Sequence, residues 1–337
     1  MMKRISVFAL AAFAAAGCLG TAPVEEHAPV GPDMLPAPSL PLPLSGLDGG
    51  TDDAGVCGSM EFALTRIPPN VMLVLDRSGS MGNSIGGGSA TSKWDDLKNA
   101  VSSLVTNYDA QMRLGAAIFS SDGNCAASNI DVPIMSAAGS TIESKLSAQG
   151  PSGNTPTAFA LDTVIAKGMV NDATRANYVV LATDGEPNCG DTDVTTRITK
   201  LYNQTPSVKT FVIGIGDGTA SDPTLLNSWA DAGHTARTGA THYYQTSSPA
   251  DLKAAFDAIV GGIVSCDFKM MQSAPDPSLI RVTENGTVLS PSPTNGYSFD
   301  PSTNTVTLHG PACDMLKTTP STKVGVLYGC PAPPPIP

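Results

Sequence analysis

The chain has 337 residues, 41% of them apolar, and carries 30 acidic against 19 basic side chains for a formal charge of −11. That length and apolar share suffice for one large domain or two smaller ones. The acidic balance, with no basic patch in view, argues against nucleic acid or anionic lipid as the main partner.

Lys3 and Arg4 precede an apolar run from Ile5 to Ala16 that ends in small residues. This is the charge, length and ending of a signal peptide over residues 1–17. Ala15-Ala16-Gly17-Cys18 also resembles a bacterial lipobox, with Ala15 where leucine is usual. That resemblance implies lipidation of Cys18 and, with Leu19 following it, an outer-membrane address. Ordinary cleavage that leaves Cys18 as a stray thiol is the alternative. No other apolar run is long enough to span a bilayer, so membrane contact is expected only through a lipid anchor. Residues 18–55, rich in Pro, Gly and Ala, read as a tether.

Val71-Met72-Leu73-Val74-Leu75 is apolar without a break and stops at Asp76. Such a run predicts a strand buried on both faces. Asp76, Ser78 and Ser80 follow at alternate positions, so a loop there can turn three oxygen side chains to one point. Carboxylate and hydroxyl oxygens are hard donors, suited to Mg²⁺, Mn²⁺ or Ca²⁺ rather than to zinc.

Ser92 is placed to cap a helix from Lys93 to about Tyr108, with Trp94, Leu97, Val101, Leu104 and Val105 on one face. Leu114 to Phe119 reads as a strand, and Ile130 to Ile134 as an edge strand containing Pro133. Helices are expected from Thr141 to Ala148 and from about Thr157 to Met169. Tyr178 to Ala182 is a second apolar strand that ends near an acid, Asp184. A helix from Thr192 to Tyr202, a strand from Phe211 to Gly216, a helix from Thr224 to Ala232, a short strand at Thr241 to Tyr244 and a helix opening at Ser248 follow. Strand and helix alternate throughout, which predicts a doubly wound, mostly parallel α/β sheet with helices on both faces. Ligands of such sheets sit beyond the carboxyl ends of the strands, where Asp76 and Asp184 both fall.

From Cys266 the helical patterns give way to strands at 279–282, 287–289, 305–308 and 323–328, with turn signals at Asn285-Gly286 and Asn295-Gly296. Residues 266–330 read as a small all-β module, and 331–337 as a Pro-rich tail.

Asp76-Arg77-Ser78-Gly79-Ser80, Thr155 within Asn154-Thr155-Pro156-Thr157, and Thr183-Asp184-Gly185 together resemble the three loops of the von Willebrand factor type A domain. The resemblance covers about residues 68–262 and assigns residues 56–265 to that domain. In that family the three loops form the metal-ion-dependent adhesion site. The implied ligands are Asp76, Ser78, Ser80, Thr155 and Asp184, around Mg²⁺ (or Mn²⁺ or Ca²⁺). Thr157 is the competing hydroxyl, and either threonine could instead cap the following helix. The implied partner is a protein that presents an acidic side chain to the cation. With the leader segment, the whole resembles an exported bacterial lipoprotein of the cell envelope.

No catalytic set emerges, since H-E-x-x-H and C-x-x-C are both absent. A metal-assisted hydrolase and a structural envelope protein with a metal-braced rim stand as alternatives to an adhesion module. Six cysteines beyond Cys18 are expected to pair in an exported protein. Cys57 with Cys266 would join the two ends of the first domain, Cys125 with Cys189 would join two rim loops, and Cys313 with Cys330 would staple the β module.

Overall fold

The computed structural model describes residues 60–86, 89–121, 125, 129–190, 192–216, 222–319 and 322–328. The leader at 1–17, Cys18, the tether at 18–55, Cys57, Cys330 and the tail at 331–337 lie outside them.

In chain order the elements are β1 (Met60–Phe62), β2 (Leu64–Arg66), β3 (Asn70–Asp76), α1 (Lys93–Tyr108), β4 (Arg113–Phe119), β5 (Val132–Met135), α2 (Gly139–Ser147), α3 (Thr157–Ala166), β6 (Asn177–Thr183), α4 (Val194–Asn203), β7 (Val208–Ile215), α5 (Pro223–Ala232), β8 (Tyr244–Thr246) and α6 (Pro249–Ile263). Beyond them come β9 (Asp267–Met270), β10 (Ile280–Glu284), β11 (Thr287–Val288), β12 (Gly296–Asp300), β13 (Thr305–His309), α7 (Pro311–Thr318) and β14 (Val324–Tyr328).

Six strands form one sheet in the order β5-β4-β3-β6-β7-β8. All neighbours are parallel except β4 and β5. The unbroken apolar run of β3 follows from its central position. Val71, Leu73 and Leu75 pack into a core with residues of α1, α2 and α6, while Met72 and Val74 pack into a second core with residues of α3, α4 and α5. No face of the strand meets water, so alternation with polar residues has no place there. Each of these five side chains is wholly buried, a gain of roughly 1.5–3 kcal/mol apiece by transfer. Pro133 sits in the edge strand β5, where its missing N–H costs no central ladder bond. Helix α3 stops at Ala166, three residues short of the expected end. Strand β8 begins at Tyr244, later than the sequence suggests, because Tyr243 is buried in the core beside Gly214.

The C-terminal part consists of two four-stranded antiparallel sheets, ordered β1-β14-β10-β11 and β12-β13-β9-β2. Phe62, Phe268, Met270, Ile280, Val282, Tyr297, Val306, Leu308 and Val326 form its core. Asn285 and Gly286, with φ of 49° and 84°, make the two-residue turn between β10 and β11 that their sequence signals. Residues 60–62 and 64–66, which precede the α/β domain in the chain, are strands of these two sheets: Phe62 pairs with Val326 and Arg66 with Phe268. The short helix α7 contributes Ala312 and Leu316 to the same core.

Two of the expected disulfides are corrected by the structure. Cys266 is bonded to Cys313, with Cα atoms 5.6 Å apart, so Cys266 is not available for the expected pair Cys57–Cys266, nor Cys313 for the expected pair Cys313–Cys330. The reason is topological: β9 pairs with β13, and α7, which carries Cys313, follows β13 directly. Cys125 is bonded to Cys189 across two loops of the parallel sheet, with Cα atoms 5.4 Å apart.

Candidate functional site

Strand β3 ends at Asp76, and the chain turns through a short 3₁₀ segment at Gly79–Gly82 before α1. Asp76 is fully buried. Its Oδ1 accepts the Ser78 N–H at 2.7 Å, and its Oδ2 accepts the Thr183 hydroxyl at 2.6 Å. The Ser78 and Ser80 hydroxyls lie 3.2 Å apart, and Ser80 donates to Asp184 Oδ1 at 2.8 Å. Four of the five residues expected at the site, Asp76, Ser78, Ser80 and Asp184, are thus gathered by a short chain of contacts that runs through Thr183.

The loop that carries Thr155 is laced to the other two through the backbone. Gly79 N–H donates to Gly153 O at 3.0 Å, and Ser152 N–H donates to Arg77 O at 2.7 Å. Thr155 N–H donates to Asn188 Oδ1 at 2.9 Å, which ties this loop to the one after Asp184. Helix α3 begins after Pro156 without a side-chain cap, so neither threonine serves the capping role that was the alternative for them. Both are buried, and the Thr157 hydroxyl has no hydrogen-bond partner among the described residues. The Cys125–Cys189 disulfide pins the loop after β4 to the loop after Asp184, and Asn154 Nδ2 donates to Cys125 Sγ at 3.5 Å. Four loops therefore meet at the carboxyl ends of β3, β4 and β6.

The electrostatics of this rim are those of two acids in a dry place. Burial, and then the charge of Asp184, push the Asp76 carboxyl up to about 7 against the hydrogen bonds from Thr183 and Ser78. Sequence reading missed a third charged group here. Lys93, the first residue of α1, sends its Nζ to Asp184 Oδ2 at 2.8 Å, and this ion pair is buried. Only its position one residue after the cap Ser92 was legible in advance. Asn188 was likewise unmarked, and Thr183, which stands in the motif stretch Thr183-Asp184-Gly185, was not expected as a partner of Asp76.

Other acids near the rim have local tasks. Asp193 caps α4 by accepting Thr196 N–H at 3.0 Å, and Asp222 caps α5 by accepting Thr224 N–H at 2.8 Å. Glu186 is exposed, and Asp191 and Asp217 lie outside the described residues. The histidines are spread apart: His242 pairs with Asp231, His234 stacks on Tyr202, and His309 bonds Ser298.

The donors fit a hard divalent cation. Two carboxylates and a pair of adjacent hydroxyls converge with no thiolate or imidazole among them, and the mutual repulsion that raises the Asp76 pKa is what a cation would relieve.

Several known proteins are similar to this chain. The YwmC protein of Bacillus subtilis (strain 168), itself uncharacterized, is 30% identical over 140 residues, which are 39% of this chain and 60% of that one. Among solved structures, proximal thread matrix protein 1 from the mussel byssus matches at 18% identity and a TM-score of 0.44, covering 62% of this chain and 50% of its own. Manganese-loaded TRAP of Plasmodium vivax matches at 19% identity and a TM-score of 0.46, covering 81% of this chain and 99% of its own. The pilus adhesin SpaC of Lactobacillus rhamnosus GG matches at 15% identity and a TM-score of 0.46, covering 78% of this chain and 39% of its own. The model of the von Willebrand factor type A domain matches residues 70–258, more than half of the chain, and the protein belongs to that family.

Proposed function

We propose that this protein is an adhesion module that binds a partner protein through a divalent cation held by Asp76, Ser78, Ser80, Thr155 and Asp184. The observation that carries the reading is the contact chain Asp76–Thr183, Ser78–Ser80–Asp184, which gathers two buried carboxylates with the buried Ser78 and the exposed Ser80 hydroxyls from separate loops at one strand-end rim. When bound, the cation supplies an electrophilic coordination position for an oxygen of an acidic side chain. Mg²⁺ and Mn²⁺ suit this donor set. Ser78 and Ser80 would turn their hydroxyl lone pairs inward, Asp76 and Asp184 would provide charge, and Thr155 would join from the second loop.

The rim is built for holding rather than for turnover. Asp76 and Asp184 are engaged by Ser78, Thr183, Ser80 and Lys93, and the three histidines among the described residues, His234, His242 and His309, make their contacts with Tyr202, Asp231 and Ser298. This arrangement favours binding over metal-assisted hydrolysis. The two disulfides support an oxidising compartment and thus an exported protein, in keeping with the leader and Cys18 read from the sequence. Among the described residues no helix is long and apolar enough to cross a membrane, and a lipid on Cys18 is the anchor we propose, in the outer membrane.

Isothermal titration of the full chain with Mg²⁺ and Mn²⁺ tests the site. Wild type is expected to take up one ion, and Asp76→Ala none. A pull-down from the native envelope should recover a partner in Mg²⁺ and lose it in chelator. Equal metal uptake by wild type and Asp76→Ala places the cation elsewhere and defeats the reading.

A further inference from the structure

Lys93 occupies a position that is unfavourable on two counts. It stands at the N-terminus of α1, where a positive charge opposes the helix dipole. It is also buried, with its side chain 7% exposed and that of its partner Asp184 0% exposed. Local rules overridden together at one residue point to a site. Gly216, just after β7 with φ of 141°, lies beside it: a Cβ there would be in ordinary contact with the Lys93 Nζ at 3.7 Å. The ammonium is thus seated between Asp184 and the bare backbone of Gly216. Asp184 is divided by this arrangement, its Oδ2 facing Lys93 at 2.8 Å and its Oδ1 accepting Ser80 at 2.8 Å.

Resting on the cation site proposed above, we infer that Lys93 sets the net charge of the loaded centre and so makes it select an anionic ligand. Asp76 and Asp184 bring two negative charges and Lys93 one positive, which leaves −1 for the side chains and +1 once a divalent cation is present. Without Lys93 the loaded centre is neutral. In a buried site that single charge decides whether a carboxylate is attracted strongly or hardly at all. Arg77 does not substitute for it, because its guanidinium is turned to the Ser120 and Gly150 carbonyls, both at 2.7 Å. Lys93 also offsets Asp184 when no cation is present, which lets the empty rim keep its shape.

The test uses the full chain, Mn²⁺ as the metal and acetate as the carboxylate probe, with chloride at matched ionic strength as the control. Wild-type Mn²⁺ affinity is expected to rise about threefold or more in roughly 0.1 M acetate. Lys93→Met should bind Mn²⁺ about tenfold tighter in chloride and show no acetate gain. Lys93→Arg, which keeps the charge, should keep the gain. In chelator Lys93→Met should melt below wild type and recover further than wild type when Mn²⁺ is added. Lys93→Gln replaces the methionine variant in every comparison if the latter does not fold. Wild-type Mn²⁺ affinity together with a wild-type acetate gain in the uncharged variant overturns the inference, as does loss of the gain in Lys93→Arg. Absence of Mn²⁺ uptake by wild type itself, with Asp76→Ala as the blank, defeats the cation site first and this inference with it.

Discussion

Asp76→Asn is the sharpest probe of the buried rim. In the metal-free protein, burial and the Asp184 charge carry the Asp76 carboxyl from an ordinary 3.8 to about 7. Between those two pH values the folded chain binds a proton that the unfolded chain does not, so stability falls as pH rises through that window. At about 1.4 kcal/mol per pKa unit, the charged form costs on the order of 4 kcal/mol above pH 7. Asparagine removes the charge with little change of shape. Its Oδ1 can still accept the Ser78 N–H, and its Nδ2 can donate to Thr183 Oγ1, whose own hydroxyl turns to Gly185 O at 3.2 Å. Allowing ~1 kcal/mol for imperfect hydrogen bonds, Asp76→Asn should be about 3 kcal/mol more stable than wild type at pH 8 in chelator. The assay is urea unfolding at pH 8 and pH 4, with chelator and with Mg²⁺. In chelator wild type should gain stability as pH falls, while the variant should not, and the gap should close by pH 4. Added Mg²⁺ should stabilise wild type by about 2.7 kcal/mol at a hundred times its dissociation constant and leave the variant unchanged. A variant less stable than wild type at pH 8 in chelator, or an equal response of both to Mg²⁺, would refute the reasoning.

Non-reducing peptide mapping should return Cys125 with Cys189 and Cys266 with Cys313. By chain entropy Cys266→Ser should cost about 4 kcal/mol of unfolding free energy, and recovery of a Cys57–Cys266 peptide would contradict the fold of the C-terminal sheets. Gly233→Ala should destabilise by about 3 kcal/mol without affecting Mn²⁺ uptake, since a Cβ there would lie 2.2 Å from Thr210 O in an otherwise ordinary backbone. Thermal melts beside metal titrations check both parts of that expectation.

The parallel sheet was legible because its strands obey a rule that single residues can show. A run such as Val71–Leu75 has no polar break only if helices cover both faces, and they do. The site was legible where its residues are close in sequence, as Asp76, Ser78 and Ser80 are, and where Asp184 follows a second strand of the same kind. What escaped is set by contacts across long separations. Lys93 meets Asp184 across 91 residues, and nothing in its neighbours distinguishes it from a solvated lysine at a helix start. β1 and β2 are three residues each, too short for periodicity, and their partners lie over 200 residues away. The pairing of Cys266 depends on β9 lying beside β13, which no spacing of cysteines encodes. Helix α7 did carry signals, with Pro311 in its first turn, Asp314 near its start and Lys317 near its end, but eight residues give them little weight.

The pairing of β1 with β14, Met60 opposite Tyr328, fixes an order of assembly. As the chain leaves the ribosome, residues 60–66 emerge first yet can find their partners only after residues 267–270 and 324–328 have followed. The intervening α/β domain, by contrast, has all its strands and helices in the chain by residue 263, before either partner segment has followed. Once that domain closes, β3 and α6 bring Arg66 and Phe268 opposite each other, which shortens the loop that the last sheets must close. A chain cut before residue 324 would leave β1 and β10 with open edges where β14 belongs.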